Sequence, residues 1–140
     1  MTPVNPTRRG FANPEIMLLI VAILIGLAIA VPAFARAREK RRNFHALNQL
    51  RAAIQIYSDD TKTKGPPTLE ELTKGGKYLS AIPTVSIMGQ HSASAQVKLM
   101  GVTDDAGGWS YSSWPGDARQ GEVWINCTHT DSTGKAWKDY

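Results

Sequence analysis

Cysteine occurs once in the 140 residues, at Cys127. A disulfide within these residues is therefore excluded, and cysteine usage says nothing about redox compartment. Histidine is scarce too: His45, His91 and His129 lie far apart in sequence, and no spacing pairs them. Cys127-Thr128-His129 is too short a run for a metal site and reads as a buried thiol beside a surface histidine. A glycine-rich phosphate loop, an H-E-x-x-H pair and a G-x-S-x-G elbow are all lacking. With no recognisable nucleophile or acid–base pair, an enzyme is the least supported class. Charge is thin at 20% of residues and unevenly placed. Arg8 and Arg9 precede an apolar run, and five basic residues follow it within residues 36–42. The nine remaining basic residues face twelve acidic ones, so the net charge of +4 is a flank effect. No nucleic-acid footprint is visible.

What the chain has in quantity is concentrated. Eighteen of the twenty residues in 16–35 are apolar and none is charged. As a helix this stretch rises about 30 Å, the thickness of a bilayer's hydrocarbon core. The rest is an ordinary polar chain, so a plain cytosolic globule and a multi-pass membrane protein are both excluded. Three readings of the segment compete. A cleaved secretory signal would use Arg8-Arg9 and the small-x-small Ala33-Phe34-Ala35, although the run exceeds the usual 7–15 residues. A simple signal anchor is the second. The third starts from Glu15, a carboxylate at the edge of the apolar run, where it is costly unless paired. A cut between Gly10 and Phe11 would create an α-amino group four residues before Glu15. Amine and carboxylate would then pair within one helix turn or between neighbouring subunits, fixing axial register.

These residues resemble the type IV pilin superfamily, which includes the pseudopilins of type II secretion. The resemblance rests on the basic leader, Gly10-Phe11, Glu15, the long apolar helix and Pro32 at a common kink position. It is strong over about the first 58 residues and only architectural beyond them. Asn13-Pro14 departs from the usual residues between the phenylalanine and the glutamate; proline is tolerable in a first helical turn. The excess of basic residues after the segment argues for a cytoplasmic C-terminal side, whereas the family places the body outside.

The resemblance implies cleavage between Gly10 and Phe11 by a prepilin peptidase, methylation of Phe11, and a Glu15–Phe11 pairing between subunits. It also implies the partners: own copies in a helical filament, the peptidase, an inner-membrane assembly platform with its ATPase, and the membrane. The expected location is a bacterial inner membrane, single-pass with the body outside, and then a periplasmic or cell-surface filament. Calcium enters on the same basis. Major pseudopilins typically carry a calcium site in loops of the C-terminal region, which makes Asp104, Asp105, Asp117 and Asp131 the calcium candidates; otherwise no cofactor is expected. The single cysteine tilts the choice toward a secretion pseudopilin, because many type IV pilins close a C-terminal loop with a disulfide. A type IV pilus subunit, or a tethered or secreted aromatic binding module acting alone, are the alternatives.

Beyond the apolar run, Phe44, Leu47, Leu50, Ile54 and Tyr57 recur at steps of three and four and form one helical stripe. Residues 59–67 read as a loop. Thr68-Leu69-Glu70-Glu71 fits a capping box before a short helix that Gly75-Gly76 ends. Residues 84–96 are weakly patterned and read as loop. Strands are predicted at 96–100, 109–112 and 122–127, separated by turn residues as in an antiparallel meander. Trp109, Trp114, Trp124 and Trp137 read as sheet core and inter-subunit contact. The expected fold is α+β and pilin-like. It divides into a leader (1–10), a transmembrane helix half (11–35), an amphipathic half (36–58) and a head (59–140) with a small antiparallel β-sheet.

Overall fold

The computed structural model describes residues 14–140; Gly10 and Phe11 lie outside them. Helix α1 runs from Pro14 to Thr61, 48 residues, and continues through Pro32. Proline lacks the N–H that would bond the carbonyl four residues earlier, a cost of about 3 kcal/mol inside a helix in water. Apolar helices in lipid or in bundles tolerate such prolines, because neighbouring groups re-satisfy the freed carbonyl.

The chain divides into two compact units at Ala35 and Arg36. In the first, the stretch of α1 up to Ala35 leaves its large apolar side chains uncovered. Leu18, Ile29 and Phe34 are about 70% exposed (70%, 69% and 72%). It is the one helix among the described residues long and apolar enough to cross a membrane.

In the second unit, Arg36–Tyr140, the later turns of α1 bury Ala46, Leu47, Leu50, Ala53 and Ile54. Leu47, Leu50 and Ile54 belong to the expected stripe, while Phe44 and Tyr57 are half-buried at its margins. Asn43 sits fully buried beside them, its Nδ2 donating to the Ser86 carbonyl at 2.6 Å. A short 3₁₀ helix, Leu69–Gly76, follows. Thr68 precedes it in extended conformation, yet its side chain caps nothing. The expected capping box therefore does not form: Glu71 pairs with Lys74 at 2.6 Å instead. Leu69 and Leu72 enter the core from this turn.

Two small sheets complete the body. Strands β1 (Val85–Ile87) and β2 (His91–Ser94) form an antiparallel hairpin where a loop was expected. Serine and alanine hide the alternation there, but Val85 and Ile87 are buried and supply a core face. Strands β3 (Val97–Lys98), β4 (Trp109–Tyr111) and β5 (Val123–Ile125) form the second sheet in that order. Strands β4 and β5 are antiparallel, but β3 and β4 are parallel, so the expected meander is wrong at its first step. The chain reverses after β3 at Met100 and Gly101, both with φ +67°. It returns through Gly107 and Gly108 and so enters β4 in the same direction as β3. All of β4 and β5 is buried.

The core joins Leu47, Leu50 and Ile54 of α1 to Trp109, Tyr111, Val123, Ile125 and Trp137. Buried polar atoms of the aromatics are satisfied. Trp109 Nε1 donates to the Pro83 carbonyl at 2.7 Å, and Tyr111 Oη to the Pro66 carbonyl at 2.7 Å. Burial pushes the Tyr111 phenol up to about 12. Trp124 is also buried, with Nε1 donating to Thr103 Oγ1 at 2.8 Å, whereas Trp114 is 59% exposed. Three of the four tryptophans are thus core, and Trp114 is surface.

Candidate functional site

Two features of the described residues carry chemistry. The first is the uncovered apolar stretch of α1, with Glu15 in its first turn. Glu15 is exposed, as are the apolar residues that follow it. A carboxylate here is the single charge in a surface that water would not otherwise favour.

The second is a side-chain cluster in the body. His91 begins β2, Asp105 lies in the loop between β3 and β4, and Cys127 and His129 follow β5. One ligand-type atom from each of the four lies within 4.8 Å of the others. His91 Nε2 is 3.5 Å from Asp105 Oδ1, and His129 Nδ1 is 3.4 Å from Asp105 Oδ2. Cys127 Sγ is 3.3 Å from His129 Nδ1. The two imidazole rings meet edge to face with centroids 5.3 Å apart. Cys127 is buried, and burial pushes its thiol up to about 11. The Thr128 N–H donates to Asp105 Oδ1 at 2.7 Å and is the main cause of a lowered Asp105 carboxyl. Buried His91 Nε2 makes no hydrogen bond.

Local geometry explains the convergence. Asp105 sits at φ +61°, which aims its carboxylate back across the loop, a conformation Asp tolerates better than most residues. Gly107 has φ +79°, and a Cβ there would stand 3.1 Å from His91 Cβ. The glycine therefore makes room for the His91 ring. The Gly107 N–H donates to the Asn126 carbonyl, and the Asn126 N–H to the Gly108 carbonyl, at 3.0 and 2.9 Å. That pairing carries the β4–β5 ladder on and brings the loop against the segment holding Cys127. Beyond it, the Lys138 N–H donates to the Cys127 carbonyl and the Trp137 N–H to the His129 carbonyl, both at 3.0 Å.

The fold brings His91 beside His129, which the sequence left unpaired, and sets Cys127, buried as expected, and His129 with His91 and Asp105. The latter two come from 22 and more positions upstream, which no spacing rule connects. The four aspartates proposed for calcium are engaged separately. Asp104 accepts from Lys98 Nζ and Asn126 Nδ2, both at 2.7 Å, and these hold its carboxyl down to about 2. Asp117 accepts from the Ser112 hydroxyl and from the Arg119 N–H, at 3.0 Å for the latter. Asp131 pairs with Lys40 and accepts from Tyr140 Oη at 2.5 Å and Thr133 Oγ1 at 2.6 Å. Burial pushes its carboxyl up, but these donors outweigh it and hold it well below the usual range. Only Asp105 enters a multi-ligand group among the described residues.

Comparison of the chain with protein-family models, curated proteins and solved structures finds no match.

Proposed function

We propose that this chain is the structural subunit of a pilin-like filament, of the type II secretion pseudopilin kind, that assembles into a periplasmic fibre driving protein export. The observation that carries the reading is the uncovered apolar stretch of α1 with Glu15 as its one charge. Such a stretch needs an apolar environment. Lipid supplies one, and a bundle of the same helices supplies another. In the bundle a lone carboxylate acts as a register mark, because it is tolerated only opposite a cation. The α-amino group of Phe11 on a neighbouring copy, exposed by prepilin peptidase between Gly10 and Phe11, is the cation proposed.

The mature subunit waits in the inner membrane with its body outside. An assembly platform and its ATPase then draw it into the fibre. The test is assembly by Glu15→Ala expressed in place of the wild type. Membrane insertion is expected to persist while filament formation fails. Fibres formed normally by that variant would sink the role given to Glu15. Loss of protein export on gene deletion, rather than loss of twitching or DNA uptake, separates the secretion branch from a pilus.

A further inference from the structure

We propose that His91, Asp105, Cys127 and His129 form a four-ligand site for a divalent transition metal of the zinc class, which ties the two sheets of the body together. The site does not depend on the filament reading, since all four residues lie within Arg36–Tyr140.

The donor set selects the metal. Two imidazole nitrogens and a sulfur suit a borderline-soft ion, whereas calcium and magnesium take oxygen ligands. Zinc bonds to N, O and S at about 2.0–2.3 Å in a tetrahedron, which places ligand atoms roughly 3.3 to 3.8 Å apart. His91 Nε2 and His129 Nδ1 stand 3.5 and 3.4 Å from the two Asp105 oxygens and Cys127 Sγ 3.3 Å from His129 Nδ1, close to that spacing, and one ligand-type atom from each of the four lies within 4.8 Å of the others. His91 Nε2 is a buried nitrogen with no hydrogen-bond partner, facing the other donors. Beyond its 3.5 Å approach to Asp105 Oδ1, a metal ion would give that atom the partner that hydrogen bonds within the cluster do not.

The surroundings fit as well. The Thr128 N–H fixes the Asp105 carboxylate from outside the group, the orienting contact that ligating carboxylates characteristically have. Asp105 and His129 are about a third exposed, 32% and 38%, so an ion has a route in. On binding, the Cys127 S–H bond breaks, its proton leaves to solvent, and the thiolate lone pair forms the metal–sulfur bond. Four protein ligands close the coordination shell, which marks a structural site rather than a catalytic one. It links β2, the β3–β4 loop and the segment after β5, a cross-link that a single cysteine cannot otherwise make.

The test uses the full chain, purified in detergent, stripped with a chelator and titrated with zinc chloride or cobalt chloride. One metal ion per chain is expected. Cobalt should give the ligand-field bands of a tetrahedral site and a thiolate-to-cobalt charge-transfer band. Cys127→Ser should abolish the charge-transfer band, and His129→Ala should weaken zinc binding on the order of tenfold or more. Zinc should raise the melting temperature of the wild type and not of His129→Ala, and excess calcium should not displace it. The partly exposed His129 keeps the test decisive if Cys127→Ser fails to fold. No stoichiometric zinc binding by stripped wild type with a folded near-ultraviolet circular dichroism spectrum would overturn the site. So would unchanged zinc affinity in His129→Ala.

Discussion

At the scale of single residues, several carboxylates help hold the body together, whereas Glu15 lies in the apolar stretch outside it. Asp104 and Asp131 are the clearest of the former. Both have folded-state values depressed below the ordinary 3.8, Asp104 to about 2. A depressed carboxylate contributes stability that is present above its unfolded value and is lost as pH falls through the folded one. Thermal stability should therefore hold from neutral pH down to the ordinary carboxylate range. It should then decline as pH approaches about 2, where Asp104 protonates. Asp104→Asn and Asp131→Asn should each lower the melting temperature near neutral pH and flatten this acid limb, as followed by circular dichroism. Glu15 is the contrasting case. It is exposed in the described chain, so Glu15→Ala should leave the melting temperature of the body unchanged while filament assembly is lost. Glu15 stood out in the sequence because charge is absent from the twenty residues after it. The Lys40 partner of Asp131 did not, because it lies 91 positions away and only the fold makes the two neighbours.

Among the elements, β4 carries the most. Trp109 and Tyr111 are wholly buried, and each ties its polar atom to a loop carbonyl. Trp109→Ala should cost about 3–5 kcal/mol, the range for deleting a buried large aromatic. For a body with so small a core, urea titration should show most or all folded signal lost. The turns give a cleaner comparison. A Cβ on Gly121 would stand 2.0 Å from the Lys64 carbonyl oxygen, at φ +88°. Gly134 has a similar φ of +82° and open space around it. Gly134→Ala should thus cost only the left-handed penalty of about 1–2 kcal/mol, and Gly121→Ala clearly more. These elements were unequally legible. The stripe of α1 was plain, because buried positions recur at helical spacing for several turns. Strands β4 and β5 were plain too, since their aromatic and branched residues stand between turn residues. The β1–β2 hairpin was hidden by its serines and alanines. The parallel entry into β4 was hidden because strand direction is set by the reversal at Met100 and Gly101, and neighbouring patterns carry no information about it. The His91–Asp105–Cys127–His129 group falls in the gap: one of its members sits on the strand that alternation does not reveal, and another in the loop that turns the chain parallel into β4.

The whole molecule comprises a body with its own core and an apolar helical stretch whose large side chains are exposed. The proposed function assigns that stretch to lipid first and to a bundle of its own copies afterwards. A chain that polymerises this way must have a free amine close to Glu15, so the leader must be removed after Gly10. A secretory signal or a plain anchor makes no such demand. Mass spectrometry of the N-terminus of the protein purified from membranes of its native host decides between them. The account predicts a chain beginning at Phe11, with methylated Phe11 as the N-terminal residue. A chain beginning at Arg36, or one retaining Met1, would contradict it.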